Sequence, residues 1–276
     1  EAQWIHGISN LKEMNAIFKG VLVMILLVFF SCGKEKNNAA DSHESEEMHW
    51  SYSGETSPEH WAELEKNSDC SGEHQSPVNI LDGQTIKDEG ERCSLDFYYS
   101  PKTLLNKVRN NGHSIQFDFE LGDSLAYNHV NYNLVQIHFH EPSEHLVNGV
   151  RYPIEIHLVH QSQQQDYTVV SVLGIEGEDC ETIENMESYL PLKKGEEKEI
   201  HESLDLSSIF PEKKSYYFYE GSLTTPPCTE NVQWVIFKDP VKVSLEEVLK
   251  LRDNMPFENY RNEQPLNGRK VYLHEM

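Results

Sequence analysis

The segment QIHFHEPSEH, Gln136 to His145, sets three histidines and two glutamates among Ile137, Phe139 and Pro142. Imidazoles and carboxylates are the side chains of proton transfer and of metal ligation. Along an extended chain successive side chains alternate, so Gln136, His138 and His140 share one face while Ile137 and Phe139 take the other. The next apolar run, PIEIHLVH, groups Glu155, His157 and Val159 by the same rule and sends Ile156, Leu158 and His160 away. Between the two runs lies EPSEHLVNGVRY, with Pro142 and an Asn148-Gly149 turn signal. An antiparallel hairpin would therefore bring His138, His140 and His157 together.

Three neutral imidazoles with a fourth position open is the arrangement of catalytic zinc, whereas structural zinc is usually closed by four protein ligands. Gln136 and Glu155, each two residues from a histidine on the same face, are placed to accept from the outer ring nitrogens and fix their tautomers. A lone histidine in such a strand is more often a hydrogen-bonded core residue. Three on a common face, with acceptors beside them, favour a metal.

The elements that must hold these residues are mostly strands. HSIQFDFE, NLVQIHFH, PIEIHLVHQ, YTVVSVLGIE, YYFYEGS and NVQWVIFK are short and alternating, and Gly, Pro and Asn punctuate them. SPEHWAELE, 57 to 65, and SLEEVLKLRDNM, 244 to 255, carry helical periodicity, each behind a Ser N-cap. The pattern predicts a mainly β (α+β) single domain with a large sheet and peripheral short helices. With 276 residues, 38% of them apolar, the chain can bury one large core, and no internal repeat argues for a second domain.

The N-terminal region is read separately. Lys19, the apolar run Val21 to Phe30 and then Ser31-Cys32-Gly33 resemble a bacterial lipoprotein signal, in which Cys32 is lipidated and becomes the first mature residue. Residues 1–31 are then upstream sequence and signal peptide, and 32–48 a polar, acidic tether. The folded domain is expected at 49–276. A formal charge of −23 argues against nucleic acid, whose phosphates such a surface repels, and fits solubility in an exposed medium. Cys70, Cys93, Cys180 and Cys228 permit three disulfide pairings, among which spacing does not choose, and none forms a Cys-x-x-Cys pair.

SEHLVNGVRYPIEIHLV, 143 to 159, resembles the signature segment of the α-class carbonic anhydrases. The likeness continues in order through HWSY at 49, QSPVNI at 75, NNGHSI at 110, HFH at 138, GSLTTPPCTENVQW at 221 and NYRNEQPL at 259. The resemblance implies a central, mostly antiparallel twisted sheet with helices at its edges. It implies zinc held by His138, His140 and His157, with zinc-bound hydroxide attacking carbon dioxide to give bicarbonate and a proton. Thr224 would orient the hydroxide, Glu144 would accept that threonine's proton, and His113 would shuttle the released proton with a pKa near the ordinary 6.5.

The resemblance also implies an apolar wall for carbon dioxide from Val159, Val172, Leu223, Val232 and Trp234, with Thr225 nearby. It pairs Cys70 with Cys228 beneath the Thr224 loop, leaving Cys93 and Cys180 for each other. The expected partners are carbon dioxide and bicarbonate, a membrane through the lipid anchor alone, and a homodimer as one open state of assembly. The expected location is a bacterial cell envelope, on its periplasmic or extracellular face. Two rivals remain: a non-catalytic relative that keeps the fold for binding, and a cupin-like oxygenase reading HFHEPSE with Glu144 as a ligand.

Overall fold

The computed structural model describes residues 49–65, 67–89 and 95–276. Its largest feature is a twisted 13-stranded sheet. The central strands run in the spatial order Thr103–Asn110, Ile115–Phe119, Val130–His140, Ile154–Gln161, Tyr167–Glu176, Glu230–Phe237 and Tyr216–Ser222. Neighbours are antiparallel except that Tyr167–Glu176 and Glu230–Phe237 run parallel. Among the described residues no helix is long and apolar enough to cross a membrane. Cys32, the segments 1–31 and 32–48, and Cys93 lie outside the described residues.

The alternation expected of each run is what builds two cores. Ile137, Phe139, Ile156, Leu158, Val170 and Val172 belong to the larger cluster on one face of the sheet. Val159, Val169, Val232, Trp234 and Ile236 belong to a second cluster on the other. The strand Glu230–Phe237 shows the rule in one element, since Trp234 and Phe237, three residues apart, lie in different clusters.

Helices are few and peripheral. Leu245–Arg252 begins with a capping box: Ser244 Oγ accepts from Glu247 N, while Glu247 Oε2 accepts from Ser244 N at 2.8 Å. The other oxygen of Glu247 accepts from Cys180 N at 2.9 Å, so one buried carboxylate holds the starts of two helices. The second of these, Glu181–Glu187, is absent from the sequence reading because its seven residues are too few to show a period. At the other predicted helix only Trp61–Leu64 is α-helical, behind a 3₁₀ turn at Pro58–His60. Ser57 makes no cap there; its Oγ donates to the Glu59 carboxylate at 2.6 Å instead.

Because Glu247 serves both helix starts, Glu247→Ala should cost more stability than Ser244→Ala, about 2–3 against about 1 kcal/mol. Urea midpoints at constant slope would check the order, and equal losses would show that the link to Cys180 contributes nothing.

Candidate metal centre

The strands Val130–His140 and Ile154–Gln161 pair antiparallel with His157 directly opposite His138 and Glu155 opposite His140. Ring centroids lie 5.0 Å (His138–His140), 5.1 Å (His138–His157) and 4.6 Å (His140–His157) apart. One nitrogen from each ring falls within 4.8 Å of the others.

The remaining nitrogens are tied outward. His138 Nδ1 donates to Gln136 Oε1 at 2.8 Å, His140 Nδ1 to Asn259 O at 2.6 Å, and His157 Nε2 to Glu155 Oε1 at 2.7 Å. Each acceptor is a carbonyl or carboxylate oxygen, so the outer nitrogen carries the hydrogen. His138 Nε2, His140 Nε2 and His157 Nδ1 are thereby left as lone pairs facing one another. Burial pushes all three rings to low pKa, His140 to about 4, so they stay neutral as metal ligation requires.

The cluster has a defect that a cation would repair. His140 Nε2 and Glu144 Oε2 are both buried without a hydrogen-bond partner, and they stand 3.5 Å apart. Two acceptors left buried and facing each other cost several kcal/mol between them, roughly 1–3 each. A divalent ion among the three rings would satisfy the nitrogen and attract the carboxylate. The donor set fits such an ion: three neutral nitrogens, closed outward and open toward one another.

A second grouping, His145, Glu155 and His157, brings ligand-type atoms equally close. It is a hydrogen-bond hub instead. Glu155 Oε1 accepts from His145, His157 and Ser171, and its Oε2 from the amides of Glu144 and His145, all at 2.6–2.8 Å. Burial alone would raise Glu155, yet the His145 and His157 rings hold it well below the usual carboxylate range. A carboxylate with five donors has no lone pair to offer a metal.

Glu144, equally buried, has the opposite balance. Its Oε1 accepts from Arg261 N at 2.8 Å, and burial pushes its pKa up to about 7 against the pull of His157, Thr224 and that amide. Thr224 is buried beside it, at the start of a loop closed by hydrogen bonds from Cys228 N to Thr225 O and from Leu223 N to Thr229 O. Cys70 and Cys228 form a disulfide across the base of this loop, with Cα atoms 4.9 Å apart. Cys180 is a buried thiol whose Sγ lies 3.4 Å from Ser208 Oγ.

His113 lies at the mouth. With His138, His140, Gln136 and Thr225 it borders a recess of about 110 Å³ that Trp50 and Tyr52 help to close. The His113 ring stacks on Trp50 at 3.7 Å, and its Nε2 is 3.1 Å from His49 Nε2. Burial, then His49 and Lys194, bring its pKa down to about 4, below the ordinary value expected of it. Val159, Val232 and Trp234 form one apolar cluster with Leu223 packed against it. Val172 does not join them: it pairs with Ile156 across the strands and belongs to the cluster on the opposite face. Strand alternation is the reason, since its neighbour Ser171 faces Glu155.

Residues that sequence reasoning missed come from the C-terminal segment. Asn259 offers its carbonyl to His140, its Oδ1 to Glu141 N and its Nδ2 to the carbonyls of His113 and Phe139. Nothing local signals this, because 119 residues separate Asn259 from His140.

Comparison with known proteins gives a consistent picture. The family model described as eukaryotic-type carbonic anhydrase matches residues 56–275. The chain is 37% identical to a carbonic anhydrase of Klebsiella pneumoniae over 227 residues, 81% of this chain and 90% of that one. It is 32% identical to dioscorin dioA3 of Dioscorea japonica, covering 92% and 94% of the two chains. The solved α-carbonic anhydrase of Thermovibrio ammonificans, in complex with the inhibitor sulfanilamide, superposes with a TM-score of 0.76 at 38% identity, covering 81% of this chain and 98% of that one.

Two outcomes are expected. Gln136→Ala should keep the fold but weaken metal binding by about 10–100-fold, read by competition with a chromophoric chelator. In chelator-treated protein, an unfolded His140 takes up a proton below its ordinary 6.5 while the native ring refuses one until about 4. Stability should be full above pH 6.5 and fall as pH drops toward 4, by on the order of 3 kcal/mol from this residue. Denaturation midpoints over that window, compared with His140→Asn, would measure it.

Proposed function

From the premise that the chain belongs to the eukaryotic-type, α-class carbonic anhydrase family, we propose that it holds zinc on His138, His140 and His157 and hydrates carbon dioxide reversibly to bicarbonate and a proton. The observation that carries the reading is the inward convergence of three neutral ring nitrogens whose outer nitrogens all donate to fixed oxygens. Zinc held there supplies the acidity that makes hydroxide available from water near neutral pH, a general property of carbonic anhydrases and not a result of this structure.

The remaining steps belong to the chain. Gln136, Glu155 and Asn259 O hold the rings in the ligating tautomer. Ionised Glu144 can only accept, so the Thr224 hydroxyl donates its hydrogen bond to it, and Thr224 can then only accept from the attacking oxygen. This fixes the direction in which that oxygen presents its lone pair. Val159, Leu223, Val232 and Trp234 offer carbon dioxide a wall without competing hydrogen bonds. A cation beside Glu144 opposes the burial that raises its pKa, keeping the carboxylate ionised.

His113 is the acceptor for the released proton. Stacked on Trp50 with a pKa of about 4 it would hold little charge at neutral pH, so we assign the transfer to a ring swung off Trp50, where burial weighs less. The anchored envelope location rests on Ser31-Cys32-Gly33, and a Cys70–Cys228 disulfide suits an oxidising compartment. Loss of membrane fractionation on Cys32→Ala is the expected outcome.

Stopped-flow hydration of carbon dioxide tests the whole. Activity should be present with about one zinc per chain and lost in His140→Ala. Thr224→Ala should keep zinc and lose about 100-fold in kcat/KM. His113→Ala should slow turnover only in weak buffer and recover with added imidazole. Iron or manganese in place of zinc would favour the cupin reading, and an inactive zinc-loaded protein the non-catalytic one.

A further inference from the structure

Behind the sheet, away from the histidine cluster, four aromatic rings enclose a second recess. Phe97 stacks on Phe237 at 5.8 Å, Tyr99 meets Phe210 edge-on at 5.2 Å, and Phe210 meets Phe237 edge-on at 5.9 Å. With Leu206 and Lys214 these rings line a cavity of about 360 Å³, within the range of small-ligand sites. It lies on the face opposite the candidate metal: Phe237 belongs to the larger core cluster, whereas Trp234, 4.9 Å from the His157 ring, belongs to the other. Its walls are braced from behind, since Tyr99 Oη is 2.5 Å from Nε2 of the buried His160.

The charge of an occupant follows from Lys214. Its Nζ stands 5.1 Å from the Phe210 centroid and 5.7 Å from that of Phe237, so the electron-rich ring faces are already used by a cation. A second cation would meet repulsion. Nζ donates to Pro211 O at 2.7 Å, and among the described residues no carboxylate pairs with it. An ammonium has three donors, so donors remain for an acceptor in the recess. Burial already disfavours the charged amine and lowers its pKa, a cost that an anion beside it would offset. Asp205 also lines the recess, its Oδ1 accepting from Ser207 N at 2.9 Å. That carboxylate, in a chain of net charge −23, opposes a ligand with a second negative charge.

We propose that this recess binds small aryl monocarboxylates, the ring lying among Phe97, Tyr99, Phe210 and Phe237 and the carboxylate accepting from Lys214 Nζ. The inference stands apart from the carbonic anhydrase reading and would survive its failure.

The test titrates 3-phenylpropionate into the zinc-loaded full chain by calorimetry, with 3-phenylpropanamide as the neutral isostere. Saturable one-site binding is expected, weakened at least about tenfold for the amide and in Lys214→Met, as loss of a charge-assisted hydrogen bond would do. Carbon dioxide hydration by Lys214→Met should match the unmodified protein. No saturable binding up to about 10 mM, the weak end of useful affinity, would overturn the proposal. So would equal binding of acid and amide, or an affinity unchanged in Lys214→Met, which would place the carboxylate at the histidine cluster. Repeating the acid titration on the unmodified chain after chelator treatment separates the two places even if the variant folds poorly: affinity should be unchanged without the metal, and its loss would overturn the proposal.

Discussion

The hydrogen bond from the outer nitrogen of each clustered histidine is the interaction on which the rest depends. Without an acceptor, a buried imidazole can choose either tautomer and leave an unmet donor in the interior. With Gln136, Glu155 and the Asn259 carbonyl in place, the choice is made three times over, and every remaining lone pair points inward. Burial then keeps the rings neutral, and convergence makes them a candidate ligand set. Removing any acceptor leaves the histidine in the chain but frees its ring to turn.

Two carboxylates of equal burial show how strongly the local donors decide chemistry. Glu155 collects five donors and remains charged, a fixed post for His145 and His157. Glu144 has one backbone amide and a pKa near 7, so its state depends on the charge placed beside it. The contrast separates a structural anion from one whose ionisation can be coupled to a cation. Arg261 joins the two regions, since its amide serves Glu144 while its guanidinium donates to Gln75 Oε1, Ser76 O and Cys70 O at 2.8–3.2 Å. The disulfide at Cys70 and the Glu144 carboxylate are thus tied to one side chain.

The sheet keeps two kinds of chemistry apart. Its histidine face is polar at the centre and walled by Val159, Val232 and Trp234, whereas the opposite face is mainly apolar, with His160 buried against Tyr99, and ends in the ring-lined recess beside Lys214. A single strand contributes to both, through Trp234 and Phe237. Pleating makes this possible, because neighbouring side chains leave a strand on opposite sides.

Much of this was legible in the order of residues. A period of two grouped His138 with His140 and Glu155 with His157, and the Asn148-Gly149 turn implied the hairpin that brings the groups together. The same period was overridden by the family likeness at Val172, which alternation places with Ile156. Local patterns determined strands, faces and the neighbouring acceptors, because side-chain direction in a strand repeats every two residues. The family likeness, and not spacing, paired Cys70 with Cys228; only the tertiary structure decided that Asn259 would hold His140, that Trp50 would stack on His113, and that Lys214 would stand over Phe210 and Phe237. These contacts join segments tens to more than a hundred residues apart, and no periodicity in a chain encodes which distant loops its folding will bring to the same place.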